Sequence, residues 1–318
     1  MPKILVIKFG ALGDVVMATS LIKQIQRFHR DSEVFLITSP AFTSVFEHWD
    51  DLSVIAFSRK GFLETIRVLS WIRKSGFNRI YDLQSNDRTS VICAFSGVKE
   101  RIGNHPRFPY THHPADIWTG QCHIFERMLM VLESAGIHAE SVPPLILSND
   151  KEKAGVREWM NRHHLANGAF VILHAGASSA HPEKCWPYFL ELAQVIDQSG
   201  HSVVWVGAET EARENRQRAE TVGIDASNAF SITGLAELGR HACFAVTNDS
   251  GPMHILSASG IPVYAFFGPT NWLRSHAIGQ REHVIIPPGL SSDIYHPETL
   301  DKIKVSGVVD ILRTAGSL

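Results

Sequence analysis

Cysteine is scarce in this chain: four occur in 318 residues, Cys93, Cys122, Cys185 and Cys243, and none forms a C-x-x-C pair. That spacing argues against a disulfide framework or a thiolate zinc site and fits a reducing compartment. No apolar run approaches the ~20 residues that span a bilayer. The N-terminal apolar run, bracketed by Lys3 and Lys8, is too short for the core of a secretion signal. Charge of one sign is missing too. The formal net charge is −2, so no global basic field points to nucleic acid. Low-complexity tracts and internal repeats are absent, as is the G-x-G-x-x-G fingerprint, which argues against a nicotinamide-dependent oxidoreductase. These absences leave a soluble cytoplasmic chain, long for one domain and comfortable for two.

What is present is an alternation of strand and helix patterns in both halves. In the first, Ile4–Phe9, Val34–Thr38, Val54–Phe57 and Arg79–Asp82 read as strands. Val15–Arg27, Phe62–Lys74 and about His123–Ala135 carry helical spacing. Ser141–Asp150, with Pro143-Pro144, reads as a linker into a capped helix over Lys151–His164. The alternation then restarts with strands at Phe170–Leu173, Val203–Val206, Phe244–Val246 and Val263–Phe267. Helices are expected at Tyr188–Gln198, Glu211–Val222 and about Ser306–Ala315. The expected fold is α/β, two Rossmann-like doubly wound domains (1–150 and 151–318) facing a cleft. The last helix would cross back onto the first domain.

Two turns stand out. Gly10-Ala11-Leu12-Gly13-Asp14 joins the first strand to the first helix and places an acid in the first helical turn. Asp14 favours the helix dipole there by ~0.3–1 kcal/mol; held at a cleft mouth, it would also serve as a general base. In Thr247-Asn248-Asp249-Ser250-Gly251-Pro252-Met253-His254, an apolar strand passes through a polar turn into a helix with proline in its first turn. That geometry leaves backbone N–H groups aimed at an anion. Ser250 or Asp249 would cap the helix. An ordinary capped helix accounts for the same residues.

Taken together, Gly10–Asp14, His174-Ala175-Gly176, Lys184-Cys185-Trp186-Pro187, Val206-Gly207-Ala208-Glu209, Thr247–His254 and Phe267-Gly268-Pro269-Thr270 resemble the lipopolysaccharide heptosyltransferases. The resemblance runs from Ile4 to about Pro269. It implies a GT-B fold and a transfer of heptose from an ADP-sugar, ADP-heptose above all, to an anionic glycolipid or oligosaccharide acceptor at the inner membrane surface. It implies no cofactor and no nucleic-acid partner. The chain has no D-x-D motif of the kind that holds a metal ion on a nucleotide-sugar diphosphate. Fixed charges and helix ends would then take the metal's place.

The site residues follow from motif position. Asp14 would be the base of an inverting attack. Lys184, with Ser178 and Ser179, would clamp the diphosphate; a solvent-facing lysine is the plain alternative. Glu211, with Glu209 as fallback, would bind ribose hydroxyls, although either acid also suits a helix start. Asp249 would hold the sugar, and Ser250, Gly251 and Met253 would turn amides on the diphosphate. His254 would face the same anion or be a buried structural histidine. On the acceptor side stand Gly13, Gln84, Arg88 and Arg107, with Lys99, Arg101, His105, His112 and His113 adding positive charge; a solvated basic loop fits equally. A metal site at His112-His113 with Cys122-His123 has no supporting spacing. The Phe62, Ile66, Leu69 and Ile72 stripe is expected to face the core, the other reading being a membrane surface. Peripheral placement at the inner face of the cytoplasmic membrane is a related expectation. A nucleotide-sugar-binding protein without turnover is the alternative function, and a carboxylate at Asp14 speaks against it.

Overall fold

The computed structural model describes the chain apart from residues 59, 105–107, 116–121, 179 and 292. It divides into two compact units, Met1–Leu147 and Ser148–Leu318. In the first, the order is β1 (Lys3–Ile7), α1 (Leu12–Phe28), β2 (Glu33–Thr38), β3 (Ser53–Ala56), α2 (Phe62–Ser75), β4 (Arg79–Asp82), α3 (Asp87–Phe95), β5 (Glu100–Gly103) and α4 (Ile124–Ser134). The second runs α5 (Asp150–Arg162), β6 (Phe170–His174), α6 (Phe189–Gln198), β7 (Ser202–Trp205), α7 (Ala212–Ala219), β8 (Ile224–Asp225) and α8 (Ile232–Gly239). It continues β9 (Phe244–Asn248), α9 (Gly251–Ser257), β10 (Val263–Phe266), α10 (Trp272–Ser275), β11 (Val284–Ile285) and α11 (Val305–Thr314).

Each unit carries a parallel sheet, in the order β3-β2-β1-β4-β5 and β11-β10-β9-β6-β7-β8. The chain moves outward from β1 to β3, then returns to lay β4 on the other side of β1. The second unit does the same around β6, with β9 on the return side. Each sheet thus has a topological switch point, where adjoining crossovers leave in opposite directions and open a crevice at the strands' carboxyl ends.

Burial on both faces explains why the central strands read as continuous apolar runs. Along β6, Val171 and Leu173 join a cluster with Trp186, Phe189 and Leu192, while Phe170 and Ile172 join another with Met253 and Leu256. Helix α5 starts where the linker ends: the Asn149 side chain accepts from Glu152 N at 2.8 Å, and the Glu152 carboxylate reaches back to Asn149 N. This is a capping box.

Several expectations need correction. Helix α11 packs Val308, Val309 and Leu312 into the second unit's own core beside Trp186 and Phe189, so it does not cross back. The presumed basic loop around Arg88–Arg101 is a helix and a strand, α3 and β5. Arg101 is an internal staple, its guanidinium bonded to Val98 O and to Pro109 O at 2.5 Å. The α2 stripe divides: Ile72 is buried and Leu69 half-buried against the core, whereas Phe62 and Ile66 face solvent. No helix among the described residues is long and apolar enough to cross a membrane.

One polar cluster in the first unit sets an acid limit. The His29 ring lies 2.8 Å from the Tyr81 hydroxyl and close to Arg79. Burial, then the Arg79 charge, push its pKa down to about 4. The unfolded histidine titrates near 6.5, so between about pH 6.5 and 4 the unfolded chain binds more protons and stability falls as pH falls. The thermal midpoint should therefore drop more steeply over that window in wild type than in His29→Gln. Parallel declines in the two proteins would refute this.

Candidate active site at the two switch points

In the second unit the carboxyl ends of β6 and β9 gather most of the expected donor residues. Their organiser is Asn248, a fully buried side chain at the end of β9. Its Nδ2 donates to Ala175 O at 2.9 Å and Gly176 O at 3.0 Å, and its Oδ1 accepts from Trp186 N at 3.0 Å. One amide thus fixes the turn after β6 and the segment that carries Lys184. Trp186 is anchored further by stacking on Phe266, with ring centroids 4.2 Å apart, and by donating Nε1 to Ile303 O.

Lys184 therefore stands on a rigid support, and its Nζ donates to Asp249 Oδ2 at 2.8 Å. Both side chains are largely but not wholly covered. The ammonium has three N–H donors, so this contact leaves two for a ligand. The two residues expected to serve diphosphate and sugar are brought together.

Glu211 closes a short 3-10 turn, Glu209–Glu211, that follows β7. Its Oε2 accepts from Ala208 N at 2.8 Å, and its Oε1 lies 3.3 Å from His174 Nε2. Oε1 is buried and accepts no well-aligned hydrogen bond among the described residues. Burial raises this carboxyl's pKa, but contact with His174, the Ala208 amide and the Arg218 charge outweigh it and hold the group below the ordinary glutamate range. The carboxylate occupies space that glycine leaves empty. A Cβ on Gly176 would fall 1.2 Å from Glu211 Oε1, and one on Gly207 would fall 3.0 Å from Oε2. Glu209, by contrast, is exposed and accepts from Asn228. Of the two acids expected here, Glu211 is the recessed one.

His174 links the two halves of this cluster. Buried at the end of β6, it meets Glu211 through Nε2 and the Ser250 hydroxyl through Nδ1 at 3.2 Å. A proton on Nε2 toward the carboxylate leaves Nδ1 to accept from Ser250. Ser250 holds the N-cap position of α9, but its side chain makes no capping bond. Met253 N donates to Ser250 O at 3.2 Å, so its amide is already used within the helix and not turned on an anion. The amides of Ser250 and Gly251 have no protein acceptor among the described residues. His254 is buried in α9. Ser178 is exposed and its hydroxyl accepts from Ala180 N in a local turn; Ser179 lies outside the described residues. Beside Gly207, a cavity of about 190 Å³ is lined by Val206, Ala208, Phe230, Leu235, Pro252 and Ile255.

The first unit's switch point lies between β1 and β4. Gly10 adopts φ 149°, a region that side-chain-bearing residues rarely enter. The turn is pinned by Gln84 Oε1, which accepts from Phe9 N at 3.0 Å and Gly10 N at 3.1 Å. Gln84 thus builds the turn through its side-chain oxygen. Gly13 is buried in the first turn of α1, and Asp14 beside it is partly exposed. Arg88 is tied to Ser58 O and Thr65 Oγ1, both at 3.1 Å, and lies over the Phe9 ring. Its Nη1 is buried and donates to nothing among the described residues. Arg107, like His105, lies outside them.

Lys8 went unrecognised as a site residue. It is almost fully buried, donates to Leu83 O at 3.2 Å and lies 3.5 Å from Asp14 Oδ2. Burial lowers its pKa against the opposing pull of Asp14 and Asp82. Asp82, also buried, has its pKa raised by desolvation, although Tyr110 and two backbone amides donate to it. His174 and Asn248 were quoted within motifs but given no role. Their signal was a place in those motifs, at the ends of apolar strands.

A sequence model of glycosyltransferase family 9 (heptosyltransferase) matches residues 66–297. The chain belongs to glycosyltransferase family 9. It is an enzyme that transfers glycosyl groups, and its two parallel-sheet domains are those of the GT-B fold. Lipopolysaccharide heptosyltransferase 2 of Escherichia coli (strain K12) is 21% identical to it, over 94% of either chain. The crystal structure of a family 9 glycosyl transferase from Veillonella parvula superposes with a TM-score of 0.82 at 22% identity, over 98% of this chain and 96% of that one. The E. coli heptosyltransferase WaaC with ADP-2-deoxy-2-fluoro heptose does so with a TM-score of 0.72 at 16% identity, over 98% and 99%.

The Asn248 hydrogen bonds have a measurable consequence. Asn248→Ala strands two carbonyls and an amide in buried positions, at about 1–3 kcal/mol for each group left unpaired. Partial relaxation should limit the loss of unfolding free energy to roughly 2–4 kcal/mol in urea titrations. A loss below about 1 kcal/mol would show that the amide does not organise these segments.

Proposed function

We infer that this family 9 glycosyltransferase moves heptose from ADP-heptose to an anionic lipopolysaccharide-core glycan, with inversion and without a metal ion. The observation that carries the reading is the cluster at the β6 and β9 ends. A lysine with spare donors, two free backbone amides and an ionised, recessed glutamate lie beside an apolar cavity. A nucleoside diphosphate-sugar presents the complementary groups: an anion, ribose hydroxyls and a flat base. The structure of a relative with ADP-2-deoxy-2-fluoro heptose supports the choice of nucleotide and sugar. The lack of a D-x-D motif, with Lys184 in its place, supports metal independence.

In the reaction, Asp14 takes the proton of the acceptor hydroxyl as its oxygen bonds to the anomeric carbon. The bond from that carbon to the diphosphate oxygen breaks on the opposite face, which inverts the configuration. Charge grows on the departing ADP, and Lys184 with the Ser250 and Gly251 amides stabilises it more strongly than in the ground state. Asp249 holds Lys184 in place and binds sugar hydroxyls. Glu211 accepts from the ribose; its depressed pKa keeps it an acceptor at neutral pH. On the acceptor side, Arg88, half-buried at the start of α3, offers its positive charge to an anionic group.

Transfer from ADP-heptose, assayed in excess chelator, tests these roles separately. Asp14→Asn cannot take a proton, so turnover should fall by ~10²–10⁴ while ADP affinity stays within about threefold. Near wild-type turnover would remove Asp14 as the base, and a chelator-sensitive wild type would overturn metal independence. Gly176→Ala isolates the ribose contact. The added methyl collides with the mobile end of Glu211 rather than with backbone, so the variant should fold yet lose as much ADP affinity as Glu211→Ala. Unchanged ADP affinity in both variants would take Glu211 out of the nucleotide site.

A further inference from the structure

Large apolar side chains are unevenly exposed on this chain. On α2, Phe62 is 79%, Leu63 75% and Ile66 47% exposed; on α3, Val91 is 47% and Phe95 59% exposed. The two helices lie side by side. Arg88 at the start of α3 bonds Thr65 in the first turn of α2, and Arg73 near the end of α2 donates to Phe95 O at the end of α3. Phe62 and Ile66 fall on one stripe of α2, with Leu69 and Arg73 continuing it at helical spacing. Val91 and Phe95 fall on one stripe of α3. Scattered exposed hydrophobics need no explanation, but five on one helix pair do.

The surrounding charge says what covers them. Lys60, Arg67, Arg73, Lys74 and Lys99 are exposed on or beside these helices. Against them stand Glu64, already paired with Arg67 at 2.9 Å, and Asp87. The face is therefore cationic on a chain whose formal net charge is −2. A second copy would set these cations against one another. A bilayer with anionic headgroups offers both the apolar depth and the opposite charge, which is the pairing that seats interfacial helices.

We propose that the α2–α3 face docks the enzyme on an anionic lipid surface, with Phe62, Leu63 and Ile66 entering the headgroup boundary and the flanking cations meeting lipid phosphates. The docking needs no acceptor. Its use to the enzyme rests on the reading that the acceptor is a membrane glycolipid.

Flotation with vesicles tests this. Wild type should bind phosphatidylglycerol–phosphatidylethanolamine vesicles at least about tenfold more tightly than pure phosphatidylcholine vesicles. Raising salt to about 0.5 M should weaken the anionic binding. The triple variant Phe62→Ser, Leu63→Ser, Ile66→Ser should lose about tenfold or more of that binding while transferring heptose to a deacylated, water-soluble acceptor at the wild-type rate. Lys60→Glu with Lys74→Glu leaves the apolar residues intact and should weaken only the anionic binding, which covers the case of a triple variant that does not fold. Asp14→Asn should bind vesicles normally. Wild type that ignores anionic vesicles, or a folded triple variant that binds as well as wild type, would overturn the proposal. So would a wild-type dimer in sedimentation that the triple variant abolishes, since a second copy would then cover the face. Wild type that binds vesicles but fails on the soluble acceptor would overturn the functional reading and leave the docking standing.

Discussion

The second unit's site depends on one buried carboxamide. Asn248 has no exposed surface, and its three hydrogen bonds tie the end of β9 to the turn after β6 and to Trp186 N. Neither partner segment is regular structure, so neither has a ladder to satisfy its backbone groups. The amide supplies both donors and the acceptor that those groups lack. Aspartate at this position could not donate to the two carbonyls, and leucine could satisfy nothing. Because the turn after β6 is held, Gly176 stays open above the sheet and Glu211 lies in the space; because Trp186 is held, Lys184 stays within reach of Asp249.

The first unit solves the same problem with a different set of groups. Its glycine turn is pinned by the Gln84 oxygen, and the region beneath it contains a buried lysine rather than a buried amide. Burying an ammonium is costly unless it is paired and hydrogen-bonded. Lys8 meets both conditions through Asp14 and Leu83 O, with Asp82 adding to the local negative field. Such a lysine holds Asp14 in position.

The central strands and the longer helices were legible because those strands are covered on two sides, which writes apolar runs into the sequence. The order of the strands was not, since nothing local distinguishes a strand laid to the left of β1 from one laid to the right. Helix α3 was not assigned from the sequence for a specific reason. Its exposed positions include Val91 and Phe95 while Thr89 is buried, so its apolar residues do not mark its inner face. Lys8 was invisible because a buried lysine and a flanking one look alike in sequence; only the ends of β1 and β4 meeting in space separate them. Met253 shows the opposite error: it stands where a ligand contact is plausible, but its amide is already used by neighbouring backbone. Glu211 was legible because its offset from Gly207 carries the geometry: the acid folds back over the glycine within one 3-10 turn.

The two switch points are the same device of chain topology, yet they are filled with opposite polarity. In the first unit the cation is buried and the acid is the half-exposed group, Lys8 beneath Asp14. In the second the fully buried groups are the Asn248 amide and the His174 ring, and a lysine is the partly exposed charge. A fold places strand ends at a crevice but does not choose what stands there. On the function proposed above, side-chain choice would make one crevice offer a proton acceptor and the other offer donors to an anion. A transfer that must deprotonate one substrate and stabilise negative charge leaving from another needs those two environments to stay different. On that reading, each sheet supplies its own buried group, Lys8 in one and Asn248 in the other, to hold the residue that the chemistry would use.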